Sequence, residues 1–273
     1  MEKHVEVERS IIKKYRKPIW NRFIGAVKDY DMVQENDKIA VCISGGKDSF
    51  VLAKCMQQLK TYTEVPFELE FICMDPGYRE ENRQLIEENA ELLNIKLHFF
   101  DTDIFNYVAN QDSGSPCYLC ARMRRGHLYK YAKSLGCNKI ALGHHFDDVV
   151  ETVLMSMLYG GELKSMMPKL HSANYEGMEL IRPLYLVRES DIIAWTRYNS
   201  LRFLQCACRF TEDNHLNEAP HGARAEVKQL LKELTARNPQ AAINIFRATH
   251  SVHVGTMPGT VINGEKHSFL DEY

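Results

Sequence analysis

Residues 44–49 read SGGKDS, a run whose side chains suit the holding of a polyphosphate. Gly45 and Gly46 carry no Cβ, so the backbone can turn tightly and aim N–H groups at phosphate oxygens. Lys47 adds positive charge, Ser44 and Ser49 add hydroxyl donors, and Asp48 can hold Mg2+ or cap a helix. The loop is shorter than the Walker A pattern, which sets four residues between its first glycine and its Gly-Lys pair. The bland alternative is a glycine turn with an Asp/Ser helix start. A second group, LGHHFDD at 142–148, holds Gly143, His144, His145, Asp147 and Asp148. The histidines are metal-ligand types, but adjacent side chains of an extended segment cannot both face one ion. The two carboxylates open a helix, where they favour its dipole even without a function.

The third group is sulfur. Cys117 and Cys120 form a C-x-x-C pair, and Cys206 and Cys208 a C-x-C pair, both flanked by polar residues. Arg122, Arg124 and Arg125 follow the first pair, a setting that favours thiolates. Four chemistries suit such pairs, and the residues alone leave them open. One is a four-thiolate zinc site, for which C-x-C is a tight second knuckle. The others are a thioredoxin-like redox pair, an iron–sulfur cluster, and exposed thiols without metal. Cys42, Cys55, Cys73 and Cys137 fall in apolar strand or helix patterns and read as small buried hydrophobes.

The elements that must position these groups alternate. KIAVCIS, FELEFICMD, KLHFF and KIALG read as strands. Between and after them, helical patterns run from the glycine loop to about Leu59 and over REENRQLIEENAELLN, LCARMRRGHLYKYAKSLG and DDVVETVLMSMLYGG. Gly136 reads as the C-cap of the third of these. DTDIFNYVANQDSGSP reads as a loop. Residues 10–30 are roughly helical in period, with Pro18 set to break or kink them. Further helices are expected near 188–198, 221–236 and 239–250, and HVGTMPGTVINGEKHSFLDEY reads as a tail. The pattern predicts an α/β fold, a parallel twisted sheet with helices on both faces and helical additions at both ends. Ser44, Asp75 and Gly143 each follow on a strand, so three motif segments converge where such sheets bind ligands.

SGGKDS after the first strand resembles the loop of the PP-loop ATP pyrophosphatases. PCYLCARMRRGHLY, KIALGHHFDDVVETVLMSMLYGGELKSMMPK and IRPLYLVRESDI narrow the resemblance to the tRNA 2-thiocytidine synthetases and related iron–sulfur tRNA thiolases. The four segments extend from about residue 39 to 212. The resemblance implies a PP-loop domain with cluster-binding cysteines over 37–212, an N-terminal helical region over 1–36 and a C-terminal helical region and tail over 213–273. It implies ATP bound by Ser44, Gly45, Gly46, Lys47, Asp48 and Ser49, with Asp75, Gly143 and His144 near the nucleotide, and cleavage to AMP and pyrophosphate. Asp48 and Asp147 are the carboxylates it marks for Mg2+ or for polarising the base, and Arg124 or Arg125 for charge on the α-phosphate.

For the thiols it implies a [4Fe–4S] cluster on Cys117, Cys120 and one distant cysteine, with one iron open to carry sulfur. Cys206 fits the distant place better than Cys208; a persulfide on Cys117 or Cys120 is the competing route. The implied reaction is attack of a pyrimidine C2 oxygen on the α-phosphorus, loss of pyrophosphate, then displacement of AMP by sulfur. Implied partners are tRNA, a sulfur donor such as a cysteine desulfurase or inorganic sulfide, and a second copy of the chain. Residues 1–41 and 209–273 contain no cysteine, which favours the thiocytidine branch over uridine thiolases with terminal zinc fingers.

Bulk properties bound the rest. A formal charge of −2 over 273 residues excludes a globally basic nucleic-acid binder but leaves room for local patches, such as Lys13, Lys14, Arg16, Lys17 and Arg22 with Tyr15 and Trp20, or Arg122, Arg124, Arg125, Lys130 and Lys133. No apolar window reaches membrane-spanning length, and the charged N-terminus has no signal-peptide core, so the cytosol is expected. Competing readings are a PP-loop amidating or lysidine-forming ligase with a structural zinc site, and a nucleotide-binding regulator without turnover.

Overall fold

A computed structural model describes residues 2–109, 116–204 and 222–271, with the side chains at 106, 108, 109 and 116–121 left aside. The chain divides into two compact units, one formed by residues 1–149 and 166–221, the other by 150–165 and 222–273.

The first unit is built on a six-stranded sheet. Its strands are β1 (Lys38–Ile43), β2 (Glu68–Asp75), β3 (Leu97–Asp101), β4 (Lys139–Ala141), β5 (Lys169–His171) and β6 (Glu179–Ile181), in the order β3-β2-β1-β4-β6-β5. Five strands are parallel, and β5 pairs antiparallel with β6 at the edge. The four expected strands are all present. The expected parallel sheet is present, and β5, a three-residue strand too short to show a period, is added antiparallel at its edge.

Helices α1 (Lys3–Ile12), α2 (Asn21–Asp29), α3 (Lys47–Tyr62), α4 (Glu80–Leu92), α5 (Ile104–Ala109), α6 (Pro116–Ser134), α7 (Phe146–Gly160) and α8 (Glu189–Tyr198) surround this sheet or lead from it, α7 passing into the second unit after Val149. Pro18 lies in a single π-type turn, Arg16–Trp20, between α1 and α2. In α3 every residue from Ser49 to Met56 is buried, so this helix is core on all sides rather than amphipathic. Gly136 has φ +76° and ends α6, a left-handed cap that a Cβ would strain.

The segment 101–116, read as a loop, holds α5 instead. Ile104 and Phe105 are buried beside Met74 at the end of β2, and that packing outweighs a mixed local pattern. Helix α6 packs against β2 and β4 through Tyr129 and Ala132, which join Ala40, Ile72 and Ile140 in one cluster. Since α6 leads straight into β4, it runs antiparallel to the strands, and its opening turns start at their carboxyl rim.

The second unit contains the rest of α7, with α9 (Ala223–Arg237), α10 (Ala241–Ala248) and a hairpin of β7 (Gly259–Ile262) and β8 (Glu265–Ser268). Val227, Leu231, Ala242 and Phe246 are its buried apolar residues on α9 and α10. The hairpin corrects the expected tail: Asn263 and Gly264, with φ +52° and +88°, form the left-handed two-residue turn that Asn-Gly specifies.

Candidate active site

The strand order places β1 between β2 and β4, and the chain crosses from β3 back to β4 over β1. That is the switch point of a doubly wound sheet, where two loops leave the carboxyl rim in opposite directions and open a crevice. The loop after β1 is Ser44–Gly46, and the segment after β4 is Leu142–His145. They touch: a Cβ on Gly143 would lie 3.1 Å from the carbonyl carbon and oxygen of Asp48 and from the Ser49 nitrogen. Glycine at 143 is therefore what lets the two segments close on each other.

Within the loop, Gly45 has φ +86°, and a Cβ there would lie 2.6 Å from Leu204 Cδ1. Gly46 is the extended N-cap of α3 and has no side chain with which to cap it, so the first turn keeps backbone donors for the crevice. Ser49 is buried and braces the loop, accepting from the Ser44 N–H at 3.2 Å and donating to the Gly46 carbonyl at 2.8 Å. Ser44 itself is exposed. The Leu204 N–H donates to the Gly45 carbonyl at 3.1 Å, and Phe203 stacks on Phe50 with centroids 5.0 Å apart.

Lys47 Nζ lies 3.2 Å from Asp48 Oδ2 and 3.1 Å from Glu189 Oε1. Burial pulls its pKa down, but the two carboxylates outweigh that and hold the ammonium above its ordinary value. At Asp48 the balance is opposite: burial raises the carboxyl, and His145 and Lys47 offset only part of the rise. Asp48 Oδ1 is buried and accepts no hydrogen bond among the described residues. His145 is 4% exposed. Its Nδ1 accepts the Asp148 N–H at 3.3 Å, and its Nε2 lies 3.9 Å from Asp48 Oδ1. Asp148 Oδ2 accepts the His145 N–H at 3.0 Å, closing the turn on itself.

Asp147 is used differently. Its Oδ2 accepts the Glu189 N–H at 2.7 Å at the start of α8, and its Oδ1 is 3.3 Å from Arg188 Nε. Glu189 and Arg188 were not singled out from the sequence; the signal was the RESD start of a helix, where a glutamate reads as ordinary dipole chemistry.

Asp75 ends β2 and is 6% exposed. Its Oδ1 accepts from the N–H groups of Gly77 and Tyr78 at 2.8 and 2.7 Å, and Arg83 reaches Oδ2 at 3.0 Å. It thereby shapes the turn after β2. Arg124 is half-buried while Arg125 is exposed. The charge of Arg124 is felt at Cys42, Cys73 and Tyr78, so it faces the carboxyl ends of β1 and β2.

Cys117 and Cys120 fall in the opening turns of α6, on the same rim as the glycine loop. Cys206 and Cys208 lie outside the described residues. The other four cysteines are buried and reduced, as read from the sequence. Burial pushes the Cys73 thiol up to about 12 and the Cys137 thiol to about 11, well away from thiolate chemistry. Among the described residues no helix is long and apolar enough to cross a membrane.

Comparison with known proteins agrees with this geometry. Residues 10–216 match the family model of the PP-loop domain. A tRNA-cytidine(32) 2-sulfurtransferase from Alcanivorax borkumensis is 34% identical over 250 residues, covering 90% of this chain and 84% of the relative. One from Citrifermentans bemidjiense is 35% identical over 238 residues, covering 86% of this chain and 90% of the relative. Among solved structures, the U34-tRNA thiolase NcsA from Methanococcus maripaludis with its [4Fe-4S] cluster shares the fold, with a TM-score of 0.68 at 20% identity over 88% of this chain and 80% of that one. A family model matched by residues 10–216, and identity extending over most of both chains, place this protein in the PP-loop family, among the relatives of the tRNA-cytidine(32) 2-sulfurtransferases.

Proposed function

We propose that the protein is an ATP-dependent tRNA thiolase that replaces the C2 oxygen of a cytidine with sulfur. The observation that carries the reading is similarity along 90% of the chain to a relative named for that activity, together with a PP-loop built at the sheet's switch point. The carbonyl oxygen of the base attacks the α-phosphorus of ATP and pyrophosphate leaves. Sulfur then bonds to C2, and AMP departs with the original oxygen. Adenylation is required because oxide is too poor a leaving group for an aromatic pyrimidine.

Ser44, Gly45, Gly46, Lys47 and Ser49 are assigned to the triphosphate. The open first turn of α3 donates to its oxygens, and Lys47 neutralises charge as pyrophosphate forms. Gly143 and His144 border the same crevice, and Asp75 shapes its wall by holding the Gly77–Tyr78 turn. The buried, unbonded Asp48 Oδ1 fits a Mg2+ ion, which supplies charge neutralisation at the phosphates when bound. Asp147 is assigned to the same chemistry through α8, whose Glu189 it holds beside Lys47.

Cys117, Cys120 and Cys206, with Cys208 as the alternative third ligand, are a soft donor set that fits an iron–sulfur cluster. Such a cluster of the [4Fe–4S] kind supplies, when bound, an iron that presents the incoming sulfur beside the charged base. Two placements support this set. The opening of α6 lies on the rim that carries the loop, and the segment leading to 206 leaves the described residues at Leu204, bonded to Gly45. Proximity of sulfur and activated base then supplies part of the rate. Cytosolic placement and a sulfide or desulfurase donor belong to the same proposal.

The test is anaerobic reconstitution with ATP, sulfide and unmodified tRNA. One AMP and one pyrophosphate per thiolated cytidine is the expected yield, with iron lost from Cys117→Ala. Stoichiometric zinc without iron and a carbon–nitrogen product would point instead to a PP-loop ligase.

A further inference from the structure

Between residues 9 and 28 every charged side chain is cationic, in a chain whose formal charge is −2. The structure turns this stretch into one surface. Lys13, Lys14, Arg16 and Lys17 are all exposed at the break between α1 and α2, where the π-type turn interrupts the regular ladder. Among the described residues, Lys13, Arg16 and Lys17 have no carboxylate within ion-pair distance.

Aromatic rings stand between and beside these cations. Tyr198 is 53% exposed and Tyr62 is 62% exposed. Lys14 Nζ sits 3.5 Å over the Tyr198 ring, whose centroid is 5.9 Å from that of Tyr15. Trp20, partly exposed, meets Tyr62 edge-on at 6.5 Å. Cations with accessible ring faces are the chemistry of nucleic-acid strands with unpaired bases: phosphates meet the ammonium and guanidinium groups, and bases stack on the rings.

The surface is also tied to the nucleotide loop. Tyr198 is the last residue of α8, and Glu189, its first, holds Lys47 of the loop at 3.1 Å. At roughly 1.5 Å per residue, the helix sets the two ends about 14 Å apart. Tyr15 is fixed to the same helix by its hydroxyl, which donates to the Ala194 carbonyl at 2.9 Å. A strand lying on the basic turn therefore has a short path to the crevice.

We propose that the turn joining α1 and α2, with Tyr62 and Tyr198, docks an unpaired stretch of the substrate tRNA next to the nucleotide to be modified. This rests on the thiolase reading and adds a surface to it.

Filter binding of unmodified tRNA to the full-length protein over a salt series tests it. In the variant carrying Lys13→Ala, Arg16→Ala and Lys17→Ala, loss of three phosphate contacts should reduce the slope of log affinity against log salt by about 2. Affinity at about 150 mM salt should fall at least roughly tenfold. Tyr62→Ala with Tyr198→Ala should weaken binding by about tenfold while leaving the slope unchanged. ATP binding and the thermal midpoint should stay at wild-type values in both, since all five side chains lie outside the loop. Wild-type affinity and slope in the triple variant would overturn the docking surface. So would normal tRNA binding with thiolation lost only when a protein supplies the sulfur, which would assign the surface to that donor. Wild-type protein that fails to bind tRNA at any salt would instead overturn the thiolase reading itself.

Discussion

Replacing Gly45 by alanine would put a methyl group 2.6 Å from Leu204 Cδ1 and 2.9 Å from Ile86 Cγ1, on a backbone with φ +86°. The strain costs about 1–3 kcal/mol before any neighbour moves. Gly45→Ala should lower the thermal midpoint and abolish ATP binding together, as read by calorimetry and titration; a variant that keeps both would show that the loop has another shape. Asp48 offers a pH test. Its carboxyl is raised by burial, so it takes up its proton at a pH where an ordinary aspartate is still ionised. Binding of magnesium-ATP should therefore weaken on the acid side earlier than a free carboxylate would dictate, and recover as pH rises through the raised value. Asp48→Asn should bind weakly throughout and lose that acid limb. An acid raised on folding opposes the fold where it is ionised, so the same variant should keep or raise its thermal midpoint at neutral pH. An acid limb that survives in Asp48→Asn would assign it to a different group.

Between loop and helix, Asp147 shows how an element can carry a site residue. Its bond to the Glu189 N–H does the work of a cap supplied from a different helix, and Glu189 in turn faces Lys47. Asp147→Ala should cost about 1–2 kcal/mol in urea unfolding, with ATP affinity falling as α8 loosens. Unchanged stability would contradict this role. The strands and helices around the loop were legible in the sequence because their signals are local: short apolar runs in KIAVCI and FICM, and a glycine pair before a helix. The β5 edge strand was not, since three residues take their form from β6. α5 was hidden because Ile104 and Phe105 are held by Met74, a contact across the fold. The β7–β8 hairpin did carry a signal, the Asn263-Gly264 turn, which the weak alternation around it obscured. The loop residues themselves could be read from their types. The roles of Glu189 and Arg188 could not, because they arise from the approach of α8 to α7 across 42 residues of chain.

For the molecule as a whole, a near-neutral chain handles a polyanion by dividing its charge. Lys13, Lys14, Arg16 and Lys17 are exposed, with Lys14 over Tyr198 at one end of α8, and Lys47 of the loop is tied up with Asp48 and with Glu189 at the other. On the proposed function, the crevice at the switch point charges a tRNA cytidine for replacement of its C2 oxygen. Mass spectrometry of tRNA nucleosides from cells with and without this gene tests that most directly. Disappearance of 2-thiocytidine on deletion, restored by the wild-type gene and not by Cys117→Ala, is the expected result. An unchanged nucleoside profile in the deletion strain would contradict it.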